Sequence, residues 1–178
     1  MMKILLLENS DAKSIVQWNS KKDADFLQQW AGRGYMFPIT EQQIVDRICA
    51  EEYSNYKLYK ITLDEKMIGT IELMDIDRTT KTAKIGRFLL DSDFVGKGYG
   101  TKALTEFLVM IFRDYDLEII GLTVFSFNKS ALRCYRKAGF KTVDEVVRPN
   151  GWIAINMEIT SSSIRLDWIY VNTLDTKS

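Results

Sequence analysis

Three glycines at alternate positions, in Val95-Gly96-Lys97-Gly98-Tyr99-Gly100, follow an apolar run that ends at Leu90 and precede an amphipathic run from Thr101 to Tyr115. That order predicts a strand, a tight loop and a helix N-terminus. Glycine lacks Cβ, so the backbone can turn its N–H groups inward, and the first turn of a helix leaves N–H groups unpaired. Such a loop makes a concave, positive cradle suited to a phosphate or pyrophosphate. The spacing matches neither the Gly-x-x-x-x-Gly-Lys-Ser/Thr of a P-loop nor the Gly-x-Gly-x-x-Gly of a dinucleotide fold. On the loop alone, a sharp strand-to-helix connection without any ligand reads equally well.

A second stretch changes that balance. Asn128-Lys-Ser-Ala131-Leu-Arg-Cys-Tyr135-Arg-Lys-Ala-Gly139-Phe140 follows another apolar strand, Ile119 to Phe125. The two stretches together resemble the GNAT superfamily of acyl-CoA-dependent N-acyltransferases. Its first signature is Arg/Gln-x-x-Gly-x-Gly/Ala after a strand. Its second, Asn-x-x-Ala-x-x-x-Tyr-x-x-x-Gly-Phe, is matched here at every named position. Val95 stands in the Arg or Gln slot of the first, which removes a side-chain contact but no backbone N–H. The resemblance runs from Lys57 to Ile159. The segment before it, with Phe37-Pro38-Ile39-Thr40 ahead of a third helix, is similar to the ribosomal-protein-acetylating (Rim-type) branch, where it walls the acceptor cleft.

Composition sets the outer limits. A chain of 178 residues with 46% hydrophobic content can bury a sizeable core in one domain. Lys plus Arg equals Asp plus Glu at 24 each, so no global field favours nucleic acid or membrane. No apolar run approaches the roughly 20 residues of a membrane span, and Glu8 interrupts the opening apolar run too soon for a signal peptide. A cytoplasmic protein is the expectation. The absence of histidine excludes Ser-His-Asp and Cys-His triads and the common histidine-based zinc sites, so no metal is expected. Cys49 and Cys134 lie outside any metal spacing and are expected to be reduced core or near-core residues.

Periodicity predicts a first strand at Lys3–Leu7, then helices at Asp11–Trp18, capped by Ser10, and at Asp23–Trp30. Thr40-Glu-Gln-Gln43 has the capping-box pattern and opens a helix reaching about Tyr53. Strands are expected at Lys57–Leu63, Lys66–Asp75 and Thr82–Leu90. Ile119–Phe125 is apolar enough to expect cover on both faces, and Gly139 is placed to end the last helix as a left-handed cap. Phe140–Val147, the turn Arg148-Pro149-Asn150-Gly151 and Trp152–Ile159 form a closing hairpin. The expected organisation is one α/β domain over residues 1–160 and a tail, 161–178, whose Ile164–Val171 reads as an extra strand. Dimerisation through the hairpin or this tail stays open.

The resemblance implies a mixed, mostly antiparallel sheet flanked by helices, with two strands splayed at the acyl-CoA site. It implies that the backbone of Phe88, Leu89 and Leu90 pairs with the pantetheine arm of acetyl-CoA, with an N–H near Leu90 polarising the thioester carbonyl. It further implies that Val95, Gly96, Lys97, Gly98, Tyr99, Gly100 and Thr101 carry the pyrophosphate. Asn128 reads as a pantetheine contact, a helix cap, or both. Tyr135 reads as the general acid that protonates the CoA thiolate, or as a core aromatic; a neutral phenol suits the former. Relatives place a glutamate where Thr123 or Lys84 stands here, which leaves Glu72 as the candidate base, with Asp75 and Asp91 behind it. A solvated Glu72 is the competing reading. The implied activity is acetyl transfer from acetyl-CoA to a primary amine; a non-catalytic acyl-CoA-binding module on the same fold is the alternative.

Overall fold

Strand-forming runs and the turns between them build one sheet. In the computed structural model, which describes residues 1–164, β1 (Met2–Leu6), β2 (Lys57–Leu63), β3 (Lys66–Asp77), β4 (Thr82–Leu90), β5 (Ile119–Phe125), β6 (Lys141–Val147) and β7 (Ile153–Thr160) lie in the order β1-β2-β3-β4-β5-β7-β6. Every neighbouring pair is antiparallel except β4 with β5. That exception follows from chain order, because a helical crossover between two adjacent strands brings the second back parallel to the first.

Helices α1 (Ala12–Asn19), α2 (Ala24–Ala31), α3 (Glu41–Ala50), α4 (Tyr99–Tyr115) and α5 (Lys129–Lys137) flank this sheet. Side chains alternate along a strand, so adjacent Leu58 and Tyr59 enter opposite cores. Tyr59 joins Ile71, Ile85 and Ile120 against Phe107, Leu108 and Ile111 of α4. Leu58 joins Leu89 against Ile15 of α1, Leu27 of α2 and Ile44 of α3. The amphipathic stripe of α4 that the sequence predicted is what fills the first core.

Local chemistry differs from expectation at several points. Thr40 does cap α3, accepting from the Gln43 N–H at 3.3 Å, but the Gln43 side chain does not complete the box. It bonds the Met36 N–H and the Pro38 carbonyl instead, fastening the loop before the helix. Ser10 lies inside a 3-10 turn, Asn9–Asp11, rather than capping α1. Strand β5 alternates buried residues with exposed or half-buried ones, with Thr123 in the open. Cys49 is exposed, not core, while Cys134 is half-buried. Gly139 is left-handed (φ 103°), as its cap position requires. The extra strand expected over Ile164–Val171 lies, apart from a helical Ile164, outside the described residues. Among the described residues no helix is long and apolar enough to cross a membrane.

Candidate active site

Strands β4 and β5 part company halfway along. Their ladder runs from Thr82↔Ile119 to Ile85↔Leu122 and stops, although β4 continues to Leu90 and β5 to Phe125. The cause sits at Arg87, a non-glycine residue in the left-handed region (φ 47°), where the β3–β4 register slips between Thr70 and Glu72. An extra residue on one strand bends it and increases its twist, which turns β4 away from β5. Beyond the bulge, Leu89 and Leu90 still pair with Thr70 and Gly69 of β3. Their opposite edge, together with that of Phe88, faces the open fork with backbone polar groups that β5 does not reach.

The fork leads into the glycine loop. The Asp91 carboxylate accepts from the Asp93 N–H at 3.1 Å and starts a 3-10 turn, Ser92–Phe94. Gly96 (φ 78°) and Gly98 (φ 87°) then take conformations other residues adopt only with strain, and a Cβ at either would meet nothing within 4 Å. The loop is therefore open, as a ligand cradle must be. Gly98 is the N-cap of α4 and no side chain among the described residues caps its first turn, so the N–H groups of Tyr99, Gly100 and Thr101 are placed to meet an anion. Gly100 has a different reason for being glycine: a Cβ there would lie 3.2 Å from Leu90 Cδ1, closer than ordinary contact, so the Leu90 side chain would have to give way. Val95 and Lys97 are exposed at the rim.

Helix α5 brings in the second motif. Asn128 is its N-cap, with Oδ1 accepting from the Ala131 N–H at 3.1 Å. The capping reading is thus realised, and among the described residues the Asn128 amide nitrogen is unused. Two turns on, the Tyr135 ring is buried edge-to-face against Phe140, 6.0 Å between centroids. Its hydroxyl makes no hydrogen bond among the described residues. Burial, and secondarily the neighbouring Cys134, pushes the Tyr135 pKa well above that of an ordinary phenol. Ring and proton are therefore both held in place.

A cleft of about 430 Å³ lies past the C-terminal end of β5, walled by Phe26 and Gln29 of α2 and by Phe127 and Trp152. Phe127 stacks on Phe125, and Trp152 stands edge-on to both at 5.0 and 4.8 Å. Lys21, Lys22, Asp23 and Asp25 complete the rim with balanced charge. The Lys22 ammonium lies 5.1 Å from the centre of the Phe26 ring.

Glu72 is neither solvated nor free. Its side chain is 2% exposed and accepts from Arg47 Nε at 3.0 Å, from Arg47 Nη2, and from Arg87 Nη1 at 2.8 Å. Arg87 Nε also donates to the Ala31 carbonyl at the end of α2, 3.2 Å away. The Arg47 guanidinium lies over the Tyr56 ring at 4.2 Å. Burial disfavours the Arg47 charge, but the bonds to Glu72 outweigh it and raise its pKa above the usual value. This network ties α2 and α3 to the bulge that opens the fork. The fallback carboxylates are also engaged, Asp75 by Lys84 at 3.0 Å and Asp91 by its turn.

Gly34, in the loop between α2 and α3, makes room for this arrangement. A Cβ there would lie 2.6 Å from Arg87 Cζ and 2.7 Å from Nη2. Arg87 cannot swing aside without leaving Glu72 and the Ala31 carbonyl. Gly34→Ala is expected to lower unfolding free energy by about 1.5–3 kcal/mol, the worth of hydrogen bonds to a charged group. Urea denaturation measures it; an unchanged midpoint would show that the guanidinium relocates freely.

The family profile described as "Acetyltransferase (GNAT) domain" matches residues 3–141. The chain belongs to the GNAT acetyltransferase family. It is 31% identical to the probable N-acetyltransferase YjcK of Bacillus subtilis over 144 residues, covering 75% of this chain and 77% of that one. The prophage-derived uncharacterized N-acetyltransferase YokL of the same organism is 28% identical over 90 residues, and that match spans only 50% of either chain. Among solved structures, spermidine N-acetyltransferase from Vibrio cholerae, in complex with CoA and spermine, superposes with a TM-score of 0.78. It is 18% identical, covering 92% of this chain and 97% of that one, so the likeness is one of fold.

For a GNAT domain, the two signatures and the fork were the readable part of the site. The Arg47–Glu72–Arg87 network and the aromatic wall of Phe26, Phe127 and Trp152 were not anticipated. One signal was available for Arg87: it falls where the alternation of Ala83 and Ile85 calls for an apolar residue, and the glycine beside it, inside a strand, marks a bulge. Nothing in the sequence pairs Arg47 with a residue on β3.

Proposed function

We propose that this chain transfers an acetyl group from acetyl-CoA to a primary amine by direct attack, with Tyr135 as general acid. The observation that carries the reading is the fork, whose unpaired β4 edge ends in an uncapped, glycine-lined helix N-terminus. An extended chain carrying amides and then a pyrophosphate fits that sequence of sites. The pantetheine arm lies along Phe88, Leu89 and Leu90 as an added strand, and an N–H near Leu90 donates to the thioester carbonyl. The N–H groups from Gly96 to Thr101 hold the pyrophosphate, and the spare Asn128 amide donates to a pantetheine carbonyl.

The amine lone pair attacks the thioester carbon, forming the C–N bond. Collapse of the adduct breaks the C–S bond, and the Tyr135 proton passes to the departing thiolate. The surplus proton of the amine leaves to water, from which the Tyr135 phenolate regains its own. Glu72, with oxygens already accepting from two arginines, acts in this reading by holding Arg47 and Arg87 rather than as the base. The acceptor enters by the cleft between α2 and Trp152; a protein N-terminus, a lysine, a polyamine, an aminoglycoside or an amino acid would all present the required group.

Calorimetric titration with acetyl-CoA, with NADH as control, tests the reading. Binding of acetyl-CoA without NADH is expected, followed by amine-dependent release of free thiol. Absence of acetyl-CoA binding would overturn it. Binding without thiol release for any amine would favour a non-catalytic acyl-CoA-binding module, the reading that Val95 and the engaged Glu72 leave standing.

A further inference from the structure

The Arg47–Glu72–Arg87 cluster carries more positive charge than its structural task requires. Two guanidiniums, with side chains 19% and 17% exposed, share one carboxylate that is 2% exposed. No second carboxylate among the described residues pairs with either arginine. Charges this far from water are normally compensated, so the cluster holds an excess of one positive charge in a partly buried place. Donors remain as well. Arg47 uses Nε and Nη2, leaving Nη1 without a partner among the described residues, while Arg87 uses Nε and Nη1 and turns Nη2 toward Gly34. Tyr35 follows Gly34, which packs on Arg87, and its hydroxyl has no partner among the described residues; burial first, and Glu72 next, raise its pKa above the ordinary phenol value.

The position matters. Arg87 immediately precedes Phe88, Leu89 and Leu90, so its Cα is within about 10 Å of the edge assigned to the thioester end of the donor. Its guanidinium reaches the C-terminus of α2, the helix whose Phe26 and Gln29 wall the acceptor cleft. The cleft rim is charge-balanced and offers no acidic field for a polycation. Planar guanidiniums present paired N–H groups that match carboxylate and phosphate oxygens.

We propose that Arg47 and Arg87, with the Tyr35 hydroxyl, recognise an anionic group on the acceptor, so that the acceptor is a small amine bearing a carboxylate or phosphate. This rests on the acetyltransferase reading above. Such an acceptor neutralises the excess charge when it binds and places its amine at the mouth of the fork.

The test compares matched amines by free-thiol release: β-alanine against β-alaninamide, phosphoethanolamine against ethanolamine, and spermidine and kanamycin as cations. The anionic member of at least one pair is expected to have the higher kcat/KM by tenfold or more, and the pair that shows it distinguishes carboxylate from phosphate. In Arg47→Gln, which leaves Glu72 paired with Arg87, that ratio is expected to fall toward one. A purely structural arginine would lower both members of a pair equally and leave the ratio intact. Calorimetry of β-alanine and phosphoethanolamine with the CoA-saturated protein gives a readout independent of turnover, with binding weakened at least tenfold in the variant. Preference for spermidine, kanamycin or the neutral amines, or a ratio unchanged in Arg47→Gln, overturns the inference while leaving the acetyltransferase reading intact. Failure to bind acetyl-CoA overturns both.

Discussion

Tyr135→Phe is expected to lower kcat by roughly 100-fold or more, the usual worth of a positioned proton donor, while acetyl-CoA affinity stays within about twofold. The substitution is unusually clean. The hydroxyl makes no hydrogen bond among the described residues, so its removal strands no partner there, and the ring keeps its edge-to-face contact with Phe140. A fall in kcat would then report proton delivery and not packing. The pH profile adds a second test. Burial raises the Tyr135 pKa, so the protonated, donating form persists as pH rises through the ordinary phenol value. The wild-type kcat should show no alkaline decline below about pH 10, where an unperturbed tyrosine would be half ionised. Full turnover in Tyr135→Phe would remove Tyr135 from the mechanism and leave water to protonate the thiolate.

The readable and unreadable parts of this chain separate along a physical line. Strand and helix positions follow from period and turn chemistry, which are local, and β4 and β5 lie where alternation and apolar runs predicted. Gly139 is equally local: it ends its helix in a left-handed conformation at the expected residue, whereas α4 opens at Gly98–Tyr99, ahead of the Thr101 start that the amphipathic run suggested. Asn128 was readable as a cap for the same reason. Glu72 was not, because its surroundings are assembled from far apart. Arg47 comes from α3 and Arg87 from the bulge, 25 and 15 residues away in sequence. A lone glutamate in a strand gives no sign of whether it will meet solvent or two arginines. The exposed side of β5 failed for a related reason: hydrophobicity reports a preference for burial, but only the count and placement of covering helices decide whether it is met.

A negative charge at position 98 is expected to abolish acetyl-CoA binding, and a matched pair of substitutions isolates the cause. Gly98 has φ 87°, so any side chain there pays a conformational penalty, and a single variant would confuse strain with electrostatics. Asn and Asp are the side chains that best tolerate the left-handed region, and they differ by little more than a charge. Space is not the obstacle, since a Cβ would meet nothing within 4 Å. Gly98→Asn should therefore fold and retain measurable affinity. Gly98→Asp should fold as well, because a carboxylate at a helix N-terminus is itself favourable. That same carboxylate would occupy the field that otherwise holds the pyrophosphate. At about 5 Å, two unit charges repel by about 3 kcal/mol at an effective dielectric of 20, which is more than a 100-fold loss for each phosphate charge. Calorimetry on both variants decides it: equal affinities for acetyl-CoA would show that the pyrophosphate does not sit on the α4 N-terminus, whereas loss confined to Gly98→Asp places it there.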